Sequence, residues 1–244
     1  MLVDVVLLPS DLQPHHLSGR AVAVFDVLRA TTSMAAALAA GVREIRIFGD
    51  TASALAAGLG FDSPRLLCGE EKCLPPAGFD LGNSPGAFVP EKHADRVAFM
   101  STSNGTRALL AAAPGATAVF IGAVVNASAT ARALTHAGLD VTLLCAGTNG
   151  QVAMEDLIGA GAVLDALERL QPIQLESDTA SIAQRLFISA KRDLPAALRD
   201  TQGGKNVIAA GLAPDIDFAA RLDALNVVGR AVGYPPVIRL TAFA

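Results

Sequence analysis

The chain alternates between apolar runs of strand length and stretches of small helix-forming residues. Residues 21–25 read AVAVF, residues 33–40 are mostly alanine, and residues 44–48 alternate as EIRIF. The same unit starts again at residues 97–100, 116–124 and 141–147. Strands that alternate with helices and are apolar on both faces are typical of sheets covered on both sides. The pattern therefore predicts an α/β fold, a three-layer α/β/α sandwich around a mostly parallel or mixed sheet.

No break in composition divides the 244 residues, so we predict one domain over residues 1–244. Residues 60–92 interrupt the repeat with a Gly- and Pro-rich stretch, as functional loops often do. From about residue 172 the chain becomes polar and helical, with QGGKN (202–206) as a turn, which allows a smaller C-terminal lobe. The apolar segment 226–240 could pair two copies as a homodimer.

Charge and cysteine content limit the partners and the compartment. The formal net charge is −4 and no lysine- or arginine-rich run occurs, which argues against nucleic acid and favours a small molecule. Three cysteines (Cys68, Cys73 and Cys145) cannot form an even disulfide framework, so we expect a cytoplasmic protein. The N-terminal MLVDVVLLPSD predicts a strand, and residues 30–42 fall short of the roughly 18 to 20 residues of a membrane span.

Polar clusters rich in hydroxyl and amide groups follow three of the predicted strands, at residues 26–33, 101–107 and 146–151. Free N–H groups and the helix dipole at a helix start bind anions, and hydroxyl groups and Arg29 would add donors. The clusters therefore predict a phosphate site in the crevice at the strand ends. The alternative for the first cluster is structural, with a threonine capping the helix and Asp26 pairing with Arg29.

Carboxylates in the same regions indicate a cation. The helix dipole alone would explain Glu155 and Asp156 in the first turn of a helix. A site that gathers Asp26, Glu70 and Asp156, however, would repel phosphate unless a cation lay between them. Oxygen ligands with few histidines suit Mg²⁺ better than zinc.

Several phosphate and hydrolase motifs are absent. GGKN lacks both the upstream glycine and the following hydroxyl residue of a P-loop, and no glycine set completes the dinucleotide fingerprint. Asp26 has no aspartate two residues later, no cysteine precedes an arginine at phosphatase spacing, and no GxSxG occurs. These classes of nucleotide-binding protein and hydrolase are thereby excluded.

Five motifs, in this order, resemble the 2-phosphosulfolactate phosphatase family and together span nearly the whole chain. They are FDVLRATTS (25–33), GFDLGNSPGAF (78–88), TSNGTRAL (102–109), CAGTNGQVAMEDLIGAG (145–161) and GLAPDIDFAARLD (211–223). The resemblance implies a Mg²⁺-dependent acid phosphatase that converts 2-phosphosulfolactate to sulfolactate and phosphate, a step toward coenzyme M. It also implies a three-layer α/β fold of the family's own type.

One stretch departs from the family pattern. The family usually has Glu-Arg followed by glycines before the GFD motif, whereas this chain reads GEEKCLPPAGFD, with Glu71 in place of the arginine. If that arginine binds the sulfonate or the phosphate, Lys72 is a candidate substitute. A phosphatase for another small phosphorylated hydroxy acid is therefore an alternative.

The two lines of reasoning combine into one assignment of roles. We predict that Asp26, Glu70 and Asp156 hold Mg²⁺, directly or through water, and that Asp26, Arg29, Asn104 and Arg107 serve catalysis. A metal-bound water or a covalent phosphoenzyme would serve as nucleophile, and a non-catalytic binder of phosphorylated or sulfonated metabolites is the competing function. The predicted substrate-binding residues are Thr31, Thr32, Asn83, Ser84, Gly105, Thr106, Asn149 and Gly150, although Asn83 and Ser84 also suit a simple turn.

Overall fold

The structure is a computed structural model that describes residues 1–241. Its strands coincide with the apolar runs of the sequence because valine, isoleucine and phenylalanine fit a pleated surface that is buried on both sides. The strands are β1 (Leu2–Val6), β2 (Arg20–Phe25), β3 (Glu44–Phe48), β4 (Arg65–Gly69), β5 (Val97–Ser101), β6 (Ala118–Gly122), β7 (Asp140–Cys145), β8 (Gln174–Leu175), β9 (Gly229–Val232) and β10 (Val237–Leu240).

The helices fill the alanine-rich stretches between strands. The helical pattern MEDLIGAGAVLDALERL (154–170) forms a helix over that whole range, whereas the predicted turn QGGKN is wrong, since it forms the first turn and a half of a helix. A Thr201 cap on the N–H of Gly204 starts that helix despite its two glycines. The helices are α1 (Ala30–Ala39), α2 (Thr51–Leu59), α3 (Pro90–His93), α4 (Gly105–Ala112), α5 (Ala127–Ala137), α6 (Met154–Leu170), α7 (Asp178–Ala190), α8 (Leu194–Asp200), α9 (Gln202–Ala209) and α10 (Ala213–Ala219).

The strands pair into one mixed sheet in the order β4-β5-β3-β10-β9-β6-β2-β7-β1-β8, which confirms the predicted α/β fold. Two groups of parallel strands lie on either side of an antiparallel hairpin formed by β9 and β10. The hairpin accounts for most of the apolar segment 226–240, which pairs within the chain's own sheet. The homodimer for which that segment was the argument stays a prediction.

Alternate residues of β2 enter two different cores. Ala21, Ala23 and Phe25 pack with α5, α6 and α7, whereas Val22 and Val24 pack with α1 and α4. The second core also receives residues of β3, β4 and β5, so both parallel groups border it. This shared core brings together the loops that follow strands of the two groups.

The residues after 172 contribute β8, β9 and β10 to the same sheet as the residues before them.

Within the described part of the chain, no helix combines the length and the apolar character that crossing a membrane requires. The cytoplasmic location stays a prediction.

Candidate active site

The loop after β2 is closed by its own side chains. The Asp26 carboxylate accepts the N–H of Ala30 at 3.0 Å, and the Thr31 hydroxyl donates to the Asp26 carbonyl at 3.0 Å. The Thr32 hydroxyl donates to the Val27 carbonyl at 2.8 Å. Both threonines are fully buried, so their hydroxyls support the loop that presents Asp26.

The start of α4 packs directly on this loop. A Cβ atom at Gly105 would lie 2.6 Å from the Cβ of Ala30 and 2.7 Å from Oδ2 of Asp26, so only glycine fits at this position. Thr106 and Thr102 exchange hydrogen bonds between side chain and backbone, and the Thr106 hydroxyl donates to the Thr102 carbonyl at 2.8 Å. The second polar cluster therefore meets the first by backbone contact, while the Thr106 hydroxyl is used locally.

Burial raises the pKa of Asp26 to about 6, against 3.8 for an ordinary aspartate. The hydrogen bond from the N–H of Ala30 and the nearby N–H of Gly105 lower this pKa, while the nearby charges of Glu70 and Glu155 raise it further. Asp26 therefore lies among other carboxylates, in a place where an added cation would be favoured.

Glu70 joins the loops that follow β4 and β5. Its Oε1 accepts the N–H of Ser103 at 2.7 Å and its Oε2 accepts the N–H of Cys73 at 3.0 Å. Each carboxylate oxygen retains a second lone pair after one such bond, so Glu70 can still bind a ligand.

The chain reverses directly after Glu70 in a tight turn over residues 71–74, in which Glu71 and Leu74 exchange backbone hydrogen bonds at 3.0 and 3.1 Å. The Glu71 carboxylate accepts the Thr51 hydroxyl at 2.8 Å and does not line the cavity described below. Lys72, the next residue, does line it. The residue at which this chain departs from the family pattern therefore lies outside the cavity.

Arg29 forms a buried ion pair that the sequence did not predict. Its Nη1 donates to Oδ2 of Asp215 at 2.5 Å and to the Ser84 hydroxyl at 3.1 Å, and its Nη2 donates to the Cys73 carbonyl at 2.6 Å. The Ser84 hydroxyl in turn donates to Asp215 at 2.8 Å. The expected alternative pairing of Arg29 with Asp26 is wrong, because Asp215 on α10 takes that place.

Asp156 lies beneath the cavity and connects two loops. Its two oxygens accept the N–H groups of Val27 at 2.8 Å and of Gly147 at 3.0 Å, and the residue is 2% exposed. Burial, together with the charges of Asp26 and Glu155, raises the pKa of Asp156 well above the ordinary value. It does not line the cavity.

Glu155 binds the start of α9, which forms one wall of the cavity. Burial raises the pKa of Glu155, while the nearby Thr201 and Gly203 at the start of α9 lower it. A Cβ at Gly203 would lie 1.8 Å from Oε1 of Glu155, so this contact requires glycine. Oε2 of Glu155 is buried without a hydrogen-bond partner.

These loops enclose a cavity of about 480 Å³. Asn83 contributes its amide, and the buried Oδ1 of that amide has no hydrogen-bond partner. Asn104 and Asn149 also line the cavity and contact one another: Oδ1 of Asn104 accepts the N–H of Asn149 at 3.2 Å. The residues that line the cavity are Asp26, Leu28, Arg29, Glu70, Lys72, Cys73, Leu74, Asn83, Ser103, Asn104, Thr148, Asn149, Gly203, Asn206, Val207, Ala209 and Ala210.

The structure divides the predicted site residues into two sets. Asp26, Arg29, Glu70, Asn83, Asn104 and Asn149 line one cavity, and Gly105 packs against Asp26 beside it. The remaining predicted residues do not line it: Thr31, Thr32, Ser84, Thr106, Arg107, Gly150 and Asp156. Arg107 and Gly150 are exposed, whereas the other five are wholly or partly buried in supporting hydrogen bonds.

Sequence reasoning missed Asp215 and the α9 wall. Asp215 lies in the quoted motif GLAPDIDFAARLD, where its position among charged residues of a short helix gave no separate signal. Gly203 and Asn206 were hidden in a stretch read as a turn. The double glycine was the signal, since a helix that approaches a buried carboxylate needs residues without a Cβ.

The expected three-carboxylate metal site is not assembled. Over residues 1–241, no group of three or more histidine, cysteine, aspartate or glutamate side chains is arranged to hold a metal ion. Two carboxylates, Asp26 and Glu70, line the cavity, and both supply oxygen only.

Fold and cavity together place the chain among α/β proteins that hold a polar ligand cavity in the loops at strand ends. The sequence pattern of the 2-phosphosulpholactate phosphatase family matches residues 6–233, and the chain belongs to that family.

Several relatives match over nearly their full length. A protein of Synechococcus sp. (strain JA-3-3Ab), named probable 2-phosphosulfolactate phosphatase, is 40% identical over 95% of this chain and 96% of its own. Proteins with the same name from Carboxydothermus hydrogenoformans and Deinococcus radiodurans are 36% and 37% identical. They cover 93% and 84% of this chain, and 92% and 85% of their own length, respectively.

Proposed function

We propose that this protein is a Mg²⁺-dependent phosphatase that hydrolyses 2-phosphosulfolactate to sulfolactate and phosphate. Family membership and the names of the relatives support a phosphatase. The observation that carries the proposal is the pair of carboxylates, Asp26 and Glu70, in a cavity that also presents amide donors and two basic residues. A cavity that bound only anions would gain nothing from paired acids.

The residues at the cavity fit Mg²⁺. The charge of Glu70 raises the pKa of Asp26, and Oδ1 of Asn83 is a buried oxygen without a partner. Mg²⁺ is commonly held by one or two carboxylates, several waters and substrate phosphate, so a third carboxylate is not required. When bound, Mg²⁺ would neutralise charge on the phosphoryl oxygens and lower the pKa of a coordinated water.

The protein's own groups would position the phosphoryl group. Ser103, Asn104, Thr148 and Asn149 line the side of the cavity formed by the loops after β5 and β7, and all four carry N–H or O–H donors. Phosphoryl transfer depends mainly on such positioning and on charge neutralisation. We assign these residues to the phosphate oxygens.

The hydrogen bonds of the buried threonine hydroxyls favour water, rather than a threonine side chain, as the nucleophile. The hydroxyls of Thr31, Thr32 and Thr106 each donate to a backbone carbonyl of their own loop and do not line the cavity. In the proposed step a water oxygen bonds to phosphorus, the bond between phosphorus and the C2 oxygen breaks, and the sulfolactate oxygen takes up a proton. Ser103→Ala should accordingly lower turnover without abolishing it, because Ser103 helps to position the phosphate but forms no covalent bond to it.

Phosphate release from 2-phosphosulfolactate tests the proposal, with 2-phospholactate and phosphoglycolate as comparison substrates and with Mg²⁺ or excess chelator. We expect release that requires Mg²⁺ and is fastest for the sulfonate. Release from the comparison substrates alone would move the activity to another phosphorylated hydroxy acid. Binding without release from any substrate would favour a non-catalytic binder. The step toward coenzyme M stays a prediction of the resemblance.

A further inference from the structure

The two basic residues that line the cavity, Arg29 and Lys72, differ in whether they already have an ion-pair partner. The guanidinium of Arg29 is 3% exposed and is shared among Asp215, Ser84 and the Cys73 carbonyl. Its charge is offset by a carboxylate at 2.5 Å. Lys72 is exposed, and none of the ion pairs among residues 1–241 involves it.

The turn that carries Lys72 is held from three sides. The Cys73 N–H donates to Glu70, the Cys73 carbonyl accepts from Arg29, and the Glu71 carboxylate accepts from Thr51. Lys72 and Cys73 both have positive φ, 53° and 69°, where glycine or asparagine is favoured. The local contacts therefore keep a lysine at the tip of a turn that glycine would form more easily.

The proposed substrate carries more acidic groups than the cavity has unpaired cations. A phosphorylated sulfonated hydroxy acid carries a phosphate, a carboxylate and a sulfonate. Mg²⁺ and the amide and hydroxyl donors beside it would serve the phosphate, and Arg29 is already paired. The Lys72 ammonium is the remaining cation at the cavity wall within the described residues.

From this we infer that Lys72 determines substrate specificity by binding the sulfonate of the substrate. The inference rests on the proposed function, which supplies the substrate class. An ammonium group is a compact charge on a flexible chain and suits a tetrahedral sulfonate, whereas a planar carboxylate is matched better by the fork of a guanidinium.

The test compares Lys72→Met with the parent and with Lys72→Arg, which retains the charge. Lys92→Met is the matched control, since Lys92 is exposed and lies outside the cavity. Steady-state kinetics would be measured with Mg²⁺ on 2-phosphosulfolactate and on 2-phospholactate, which lacks the sulfonate. Binding of 3-sulfolactate itself would be measured by calorimetry.

We expect Lys72→Met to raise KM for 2-phosphosulfolactate roughly 10- to 100-fold, with a much smaller effect on kcat. KM for 2-phospholactate should change less than about threefold. Lys72→Arg should recover most of the loss, and 3-sulfolactate should bind Lys72→Met more weakly by a similar factor. Lys92→Met should match the parent throughout.

An equal loss on both substrates, or no loss on either, would overturn the inference. The calorimetry distinguishes failure of the Lys72 inference from failure of the proposed phosphatase function. If the parent hydrolyses neither substrate but binds 3-sulfolactate through Lys72, the phosphatase proposal fails and the sulfonate site stands. If the parent binds no 3-sulfolactate and releases no phosphate, both fail.

Discussion

Asp26 is a buried acid that the fold holds in place at a cost in stability. Two backbone N–H groups stabilise its charged form, but burial and two neighbouring carboxylates outweigh them and raise its pKa to about 6. Because the pKa in the folded state exceeds 3.8, ionising Asp26 destabilises the fold. The penalty is absent below about pH 4 and complete above about pH 6.

Asp26→Asn should therefore separate activity from stability. Turnover should fall by roughly 100-fold or more, because a carboxylate at the reacting centre is lost. The free energy of unfolding of the variant minus that of the parent should be larger at pH 7 than at pH 4, by an amount on the order of 3 kcal/mol. Urea unfolding at the two pH values measures it, with Asp62→Asn, an exposed site, as control. Equal loss of folding and activity would return Asp26 to a structural role.

The ion pair between Arg29 and Asp215 makes a second prediction at the residue scale. Asp215→Ala leaves a buried guanidinium without its carboxylate and should lower the free energy of unfolding by about 3 to 5 kcal/mol. The control lies on the same helix: Asp217 pairs with Arg199 in an exposed ion pair, and Asp217→Ala should cost less than about 1 kcal/mol. Equal costs in the two variants would contradict a buried role for Asp215.

The types of residue in the sequence predicted which side chains line the cavity better than they predicted the hydrogen bonds that support it. Asp26 and Asn104 were identified because acids and amides follow apolar strands. Thr31 was assigned to the phosphate for the same reason, yet its hydroxyl closes the loop. Hydroxyls that cap turns and hydroxyls that bind ligands occupy the same positions in a sequence, so only coordinates distinguish them.

At the scale of elements, α6 supports the site from below and is itself held by α7. The first turn of α6 carries Glu155 and Asp156, and Gly161 two turns later lets α7 approach closely. A Cβ at Gly161 would lie 2.2 Å from the Ala183 carbonyl oxygen and 2.6 Å from the Cβ of Phe187. The bounds of α6 were predictable from periodicity, while its neighbour was not, because no local pattern encodes which helix packs on which.

Gly161→Ala should lower the free energy of unfolding by roughly 1 to 3 kcal/mol, since the added methyl must push backbone apart. Chemical denaturation measures the change. Gly86→Ala provides the comparison, because a Cβ there would meet no atom within 4 Å. If both variants unfolded like the parent, the close packing of α6 on α7 would be wrong.

At the scale of the molecule, the C-terminal hairpin unites two groups of parallel strands. β10 pairs with β3 and β9 pairs with β6, so the last strands in the sequence lie near the middle of the sheet. The sequence indicated strands alternating with helices, but it suggested a dimer contact for this segment. Antiparallel insertion depends on pairing between residues 110 to 193 positions apart, which periodicity does not reveal.

Ile238→Ala should therefore destabilise the protein far more than Leu240→Ala. Ile238 is fully buried in the core shared by both strand groups, and its truncation should cost roughly 2 to 5 kcal/mol. Leu240 is 53% exposed and its truncation should cost less than about 1 kcal/mol. Thermal unfolding by circular dichroism measures both, and similar midpoints would argue against the central position of the hairpin.

The most direct measurement of the account is the Mg²⁺ dependence of phosphate release from 2-phosphosulfolactate by the parent, Glu70→Gln and Glu71→Gln. The two glutamates are adjacent, but only Glu70 lines the cavity with Asp26. We predict that Glu70→Gln needs roughly tenfold more Mg²⁺ for half-maximal rate, while Glu71→Gln follows the parent. An unchanged Mg²⁺ requirement in Glu70→Gln would contradict the assignment of the metal to this cavity.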